Sequence, residues 1–372
     1  MTNRTVKRLD LFERYLSLWV LLCMCVGMLI GKLLPHPVAF LSNWEFVNDS
    51  HINVPIAVLI WLMIYPMMLK IDFGGLKAVA ERPKGLLVTL FVNWLVKPFS
   101  MAFLGWFFVQ FLFSQRLGWI ESETAKQYTA GLIILAAAPC TAMVFVWSYL
   151  TDGDAPYTLA QVAVNDLIMI FAFGPIVALL VGVSGVSIPI QVLVLSVLLF
   201  VVIPLASGWI TRTLLVRRKG TQWFETTFLP VFKPVTIVAL LGTLLLIFAF
   251  QAENIAKNWV AVVLLAIPIL IQVYFNSGLA YGLMRLFKVR HNIATPGSLI
   301  GASNFFELAV AVAIALFGPT SPAALATAVG VLVEVPVMLS VCRMCVSSRD
   351  WYEGKMPESQ VGRGSRRAVS ES

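Results

Sequence analysis

Long apolar runs separated by short polar stretches make up most of the chain. Ten runs are long enough to predict membrane helices, over 16–34, 55–69, 85–113, 129–150, 158–182, 188–210, 230–250, 258–284, 295–317 and 322–342. The pattern therefore predicts an all-α membrane protein. Residues 1–15 form a polar N-terminus, 16–345 the ten-helix domain, and 346–372 a polar tail with no apolar period to bury, expected to be disordered. The loops between runs leave no room for a soluble catalytic domain, so any activity lies within the membrane.

Composition agrees with this reading. Of 372 residues, 59% are hydrophobic and 12% charged, against roughly a quarter charged in soluble domains. The net charge of +8 raises the question of where the basic residues sit. Twenty-one Lys and Arg residues fall at the N-terminus, in the 70–84, 211–229 and 285–294 loops and in the tail, whereas Lys32, Arg116, Lys126 and Lys257 face the other side. By the positive-inside rule both termini are cytoplasmic. The basic excess is thus a topology signal facing anionic lipid headgroups, not a nucleic-acid footprint. The five cysteines, Cys23, Cys25, Cys140, Cys342 and Cys345, lie in or at the ends of the runs, where a secreted-type disulfide framework does not belong. Cys342 and Cys345 are spaced C-x-x-C but lack a second pair or a nearby histidine, and read as packing near a helix end.

The two halves of the chain resemble each other. Val92-Asn93-Trp94 has a counterpart in Phe275-Asn276-Ser277; Cys140 matches Glu307 at an offset of 167, and Asp166 matches Glu334 at 168. Ten helices then divide into repeats of five, over 16–182 and 188–342. Because five is odd, the repeats are inverted, as in many secondary transporters. Pro139 in the fourth run and Gly301-Ala302-Ser303-Asn304 in the ninth are the interruptions expected where helices break at the midplane and present half-helix ends to a common point.

Four charged residues fall well inside the runs, Lys97, Asp166, Glu307 and Glu334, whereas Lys32 and Lys233 lie near run ends. Each costs on the order of 2.5–3.5 kcal/mol at a helix centre, so each implies a partner or a function. An ion pair such as Lys97 with Asp166 is one account, and proton coupling another. Glu307, beside an interruption and opposite Cys140 in the repeat, is the stronger functional candidate, since a carboxyl kept from water can gain and lose a proton near neutral pH. Asn93, Asn276, Ser303 and Asn304 suit hydrogen bonding, either to a polar solute or between helices. Cys140 reads as a small buried hydrophobe or as one soft ligand at a broken helix, able to bind a thiophilic ion weakly enough to release it.

Absences narrow the class further. There is no H-E-x-x-H and no G-x-S-x-G, and Gly27 to Lys32 falls one residue short of a phosphate-binding loop. Gly27 and Gly31 read better as a helix contact. His36, His51 and His291 lie between the apolar runs, leaving Cys140 no base for thiol catalysis. An enzyme is disfavoured and no cofactor is implied.

Ala136-Ala137-Ala138-Pro139-Cys140-Thr141-Ala142-Met143-Val144-Phe145-Val146-Trp147-Ser148 resembles the arsenical resistance-3 family of arsenite permeases, part of the bile acid/arsenite/riboflavin transporter superfamily. The likeness extends through Ile60–Met68, Asn93–Pro98, Val164–Met169, Gly301–Ala309 and Gly330–Pro336, and covers nearly all of residues 10–345. It implies ten helices in an inverted five-helix repeat, with crossing discontinuous helices 4 and 9, a core of helices 3–5 and 8–10, and a panel of helices 1, 2, 6 and 7. It further implies efflux of arsenite, sometimes antimonite, across the plasma (inner) membrane in exchange for protons, conferring arsenic resistance. The family's essential cysteine and glutamate fall on Cys140, as ligand of trivalent arsenic, and Glu307. Asn93, Lys97, Asp166, Ser303, Asn304 and Glu334 are the supporting or proton-coupling candidates. A sodium-coupled organic anion symporter of the same superfamily, a membrane enzyme and a passive channel are the competing readings. A homo-oligomer and partnership with a soluble ATPase both remain open at this point.

Overall fold

The computed structural model describes residues 16–47, 50–70, 83–140 and 143–354. The N-terminal segment 1–15, part of the basic 70–84 loop and the tail beyond 354 lie outside the described residues. In chain order the elements are α1 (Leu16–Leu33), α2 (Pro35–Ser42), β1 (Glu45–Val47), β2 (Ser50–Asn53), α3 (Val54–Lys70), α4 (Pro83–Arg116), α5 (Ser122–Ala137), α6 (Val144–Leu150) and α7 (Ala155–Val183). These are followed by α8 (Ile190–Lys219), α9 (Thr221–Phe250), α10 (Ala252–Lys257), α11 (Trp259–Leu286), α12 (His291–Ala302), α13 (Phe306–Phe317), α14 (Pro322–Ser347) and α15 (Arg349–Glu353).

The protein is mostly helical and spans the membrane several times. Six helices, α4, α7, α8, α9, α11 and α14, are long and apolar enough to cross a membrane alone, and α1 with α2 makes a seventh across a bend of 104°. The shorter α3 and α13 and the interrupted pairs fall below that length, because an interrupted run divides its apolar residues between two helices. One departure from the all-helical expectation is the β1–β2 pair, antiparallel with Glu45 opposite Asn53. The run is rich in the turn formers Asn43, Asn48, Asp49 and Ser50, which do not sustain a helix. A second departure concerns the tail: helix continues through Glu353, and Tyr352 is fully buried with its hydroxyl donating to Val289 O at 2.9 Å.

Local chemistry sets the helix limits. Asp154 caps α7 by accepting from Tyr157 N at 2.9 Å, and Ser321 caps α14 by accepting from Ala324 N at 3.1 Å, each followed by a proline in the first turn, where its missing N–H costs nothing. Gly318 ends α13 at φ +89°, a conformation open to glycine. Prolines further in leave a different mark. π-Helical turns at Val92–Val96, Leu198–Val202 and Phe224–Phe228 stand immediately upstream of Pro98, Pro204 and Pro230. The wider turn accommodates a ring that cannot donate to, and clashes with, the carbonyl four residues back.

α1 packs along α9, and α9 along α3, which in turn meets α8. The α1–α9 contact confirms the expected glycine seam: a Cβ on Gly27 would sit 2.6 Å from Leu245 O, and one on Gly31 would collide with Ala249 O. The remaining long helices, α4, α7, α11 and α14, enclose the two interrupted pairs α5–α6 and α12–α13.

Candidate functional site

The interruptions meet. Ala138, preceding Pro139, is extended at φ −116°, ψ 134°, as the residue before a proline prefers, and Ser303 after α12 is extended at φ −81°, ψ 152°. The two segments pair antiparallel through a bridge between Pro139 and Asn304. Phe305 N donates to Ala138 O at 3.1 Å and Cys140 N to Ser303 O at 3.4 Å. The C-terminal ends of α5 and α12 and the N-terminal end of α13 therefore converge on one buried point. Helix C-termini are negative and N-termini positive, so the point carries a fixed polarity.

Lys97 enters the crossing from the end of the first π turn of α4. Its Nζ donates to Ala138 O at 3.2 Å and to Ser303 O at 2.9 Å, the two carbonyls released by the breaks. It makes no ion pair with Asp166, so that pairing is corrected: two helix C-terminal carbonyls hold the ammonium instead. Asp166 is buried on α7 with both carboxylate oxygens lacking a hydrogen-bond partner. Glu334 on α14 accepts from Asn304 N at 2.7 Å, fixing the second break, while its other oxygen has no donor.

Glu307 lies in the first turn of α13, fully buried, and no other residue donates to its carboxylate. It forms part of the wall of a cavity of about 390 Å³ between α3, α9 and the crossing. The rest of that wall includes Met63, Pro66 and Lys70 from α3, Lys233, Thr236 and Ile237 from α9, and Met143 and Val146 just past Cys140. Cys140, 1% exposed and not in a disulfide, lies at the crossing, where its backbone N donates to Ser303 O. No group of three or more His, Cys, Asp or Glu side chains suited to a metal ion occurs among the described residues. The chemistry available around the crossing is therefore one soft thiol, the Glu307 and Glu334 carboxyls, the Lys97 ammonium and neutral amides.

Asn93 works between helices: its Nδ2 donates to Asn165 Oδ1 at 3.0 Å, and Trp94 Nε1 shares that acceptor at 3.1 Å. One step along the same faces, Thr89 Oγ1 donates to Gln161 Oε1 at 2.6 Å. Asn165 and Gln161 were not singled out in the sequence, although polar residues spaced by four on both α4 and α7 are the signal that would have found them. On α11, neither amide atom of Asn276 has a hydrogen-bond partner among the described residues, nor does Ser303 Oγ at the break. His291 opens α12 with its ring 3.0 Å from Cys345 O. Twelve residues of helix, about 18 Å, separate it from the break, so the crossing has no imidazole from that helix.

A family model for the sodium bile acid symporter family matches residues 57–258. The arsenical-resistance protein Acr3 of Alkaliphilus metalliredigens is 53% identical over 93% of this chain and 95% of that protein. The chain belongs to the Acr3 family. A second Acr3 protein, from Corynebacterium glutamicum, is 33% identical over 92% of each chain. An uncharacterized transporter of Synechocystis sp. is 44% identical over 92% of this chain and 91% of its own. As a member of the Acr3 family within the wider sodium bile acid symporter family, this chain is a multi-pass membrane transporter and not an enzyme.

Proposed function

We propose that this Acr3 family member expels trivalent arsenic, as arsenite, across the plasma membrane in exchange for protons, and so confers arsenic resistance. The observation that carries this reading is the crossing itself, which pairs the break at Cys140 with the break just before Glu307, while Glu307 lines the cavity. Its two relatives named for arsenical resistance support the substrate class. Counting α1, α3 and the two interrupted pairs with the six long helices gives ten spans, in two inverted repeats over 16–182 and 188–342. Both termini are then cytoplasmic.

Arsenous acid enters from the cytoplasm. The Cys140 thiolate attacks arsenic; an As–S bond forms, an As–O bond breaks, and protonated Glu307 gives its proton to the departing hydroxide, which leaves as water. Amides at the crossing hold the remaining hydroxyls. Rocking of the helices around the crossing against α1, α3, α8 and α9 opens the site outward. There water reverses the exchange, and a proton from that side caps the freed thiolate. The empty carrier sheds this proton to the cytoplasm, completing one inward proton per arsenic.

The test is arsenite uptake into everted vesicles under an imposed proton gradient, comparing the parent with Cys140→Ser and Glu307→Gln at matched expression. The reading requires gradient-driven accumulation by the parent and loss in both variants. Normal transport by Cys140→Ser would remove the thiolate step. An inactive parent that instead takes up organic anions with sodium would replace the function altogether.

A further inference from the structure

The buried ammonium of Lys97 bridges Ala138 O and Ser303 O, the last carbonyls before each interruption, and so stands where the negative ends of α5 and α12 meet, with the Glu334 carboxylate near enough to interact with its charge. Each carbonyl also takes a backbone N–H from the opposite segment, which fixes its direction. Further oxygens of the second break have no donor among the described residues: Ser303 Oγ, Asn304 Oδ1 and the second carboxylate oxygen of Glu334, whose first oxygen is tied to Asn304 N. Two rigid buried carbonyls with a carboxylate beside them are donors that hard cations take. Here that place is taken by a cation that belongs to the chain.

We propose that the Lys97 ammonium is a tethered cation occupying an alkali-ion site made by the two helix interruptions, so that this carrier works without sodium. The ammonium neutralises the Glu334 carboxylate and both helix ends through every conformation. Its removal leaves those oxygens uncompensated and opens the volume of a lysine stem. A free sodium ion then has both the charge and the space to replace it. The transport arm of this inference rests on the proposed function; the ion-binding arm does not.

Parent, Lys97→Ala and Lys97→Met are purified and melted in sodium chloride and in choline chloride at equal ionic strength. Sodium should raise the Tm of Lys97→Ala by about 3 °C or more, with saturation. It should leave the parent, which holds its own cation, and Lys97→Met, whose apolar stem fills the space, unmoved. Equal melting of Lys97→Ala in the two salts overturns the proposal, and so does an equal sodium response in the parent. If Lys97→Ala is recovered in neither salt, Lys97→Gln replaces it; failure of both in sodium also overturns the proposal, because sodium should restore the missing charge. In vesicles the parent should take up arsenite equally with sodium or potassium outside, and Lys97→Ala should lose uptake at least about tenfold in potassium and regain it in sodium, a difference of about 1.4 kcal/mol. A parent that moves no arsenite would sink the transport assignment while the melting comparison still decides the ion site.

Discussion

Replacing Asn165 by leucine, which has the same four branched side-chain heavy atoms, tests whether the polar ladder between α4 and α7 holds the site in place. Asn165 is 1% exposed, and its single Oδ1 accepts from both Asn93 Nδ2 and Trp94 Nε1. The substitution leaves no cavity of consequence but orphans two buried donors. At about 1–3 kcal/mol per orphaned donor the ceiling is about 6 kcal/mol. Interhelical bonds in bilayers average about 0.6 kcal/mol, which puts the floor for two bonds near 1 kcal/mol. A loss of about 2–4 kcal/mol is expected, which at roughly 2 °C or more per kcal/mol is a Tm fall of about 4 °C or more. The assay is thermal unfolding of detergent-purified protein, repeated with Asn93→Leu and the double variant. Because replacing both partners removes one orphan, the double variant should melt higher than the sum of the singles requires. An Asn165→Leu protein melting with the parent, or a double variant showing strict additivity, would refute the claim that these bonds carry weight.

Three further outcomes follow from the structure. Gly27→Leu should destabilise by about 1–3 kcal/mol or more, since its first carbon would lie 2.6 Å from Leu245 O and 2.9 Å from Phe248 Cβ, whereas Gly278→Ala, with nothing within 4 Å, should melt like the parent. Changing both Cys342 and Cys345 to alanine should leave arsenite uptake unchanged, because both thiols are buried on α14 and belong to no metal-binding group among the described residues; loss of uptake would give them a role this reading denies. Tyr352→Ala should release α15, because the ring is fully buried and its hydroxyl holds Val289 O at 2.9 Å; limited proteolysis should then cut near residue 350, and continued protection there would contradict the docking.

Much of this protein is legible from its residues in order. Apolar run length marks the membrane helices because a bilayer must be crossed by a continuous apolar stretch. Pro139 and the small, polar residues Gly301 to Asn304 mark the two interruptions, since a proline withholds an N–H and short polar side chains do not sustain an apolar helix. Gly27 and Gly31 announce their seam through the absence of a Cβ. Buried charge at Lys97, Asp166, Glu307 and Glu334 announces itself through its cost.

Partners were not legible, and two cases show why. Lys97 had a plausible carboxylate in Asp166, but the ammonium went to Ala138 O and Ser303 O, and every residue carries a carbonyl, so no side-chain pattern could single those two out. Asn93 was placed as a solute ligand or a helix contact, and only the rotation of α4 against α7 turned it to Asn165. The sequence by itself determined the elements, their breaks and the inventory of costly groups, because those follow from local backbone chemistry and from transfer into lipid. Only the tertiary structure decided which groups satisfy one another, because that depends on the register and rotation of helices far apart in the chain.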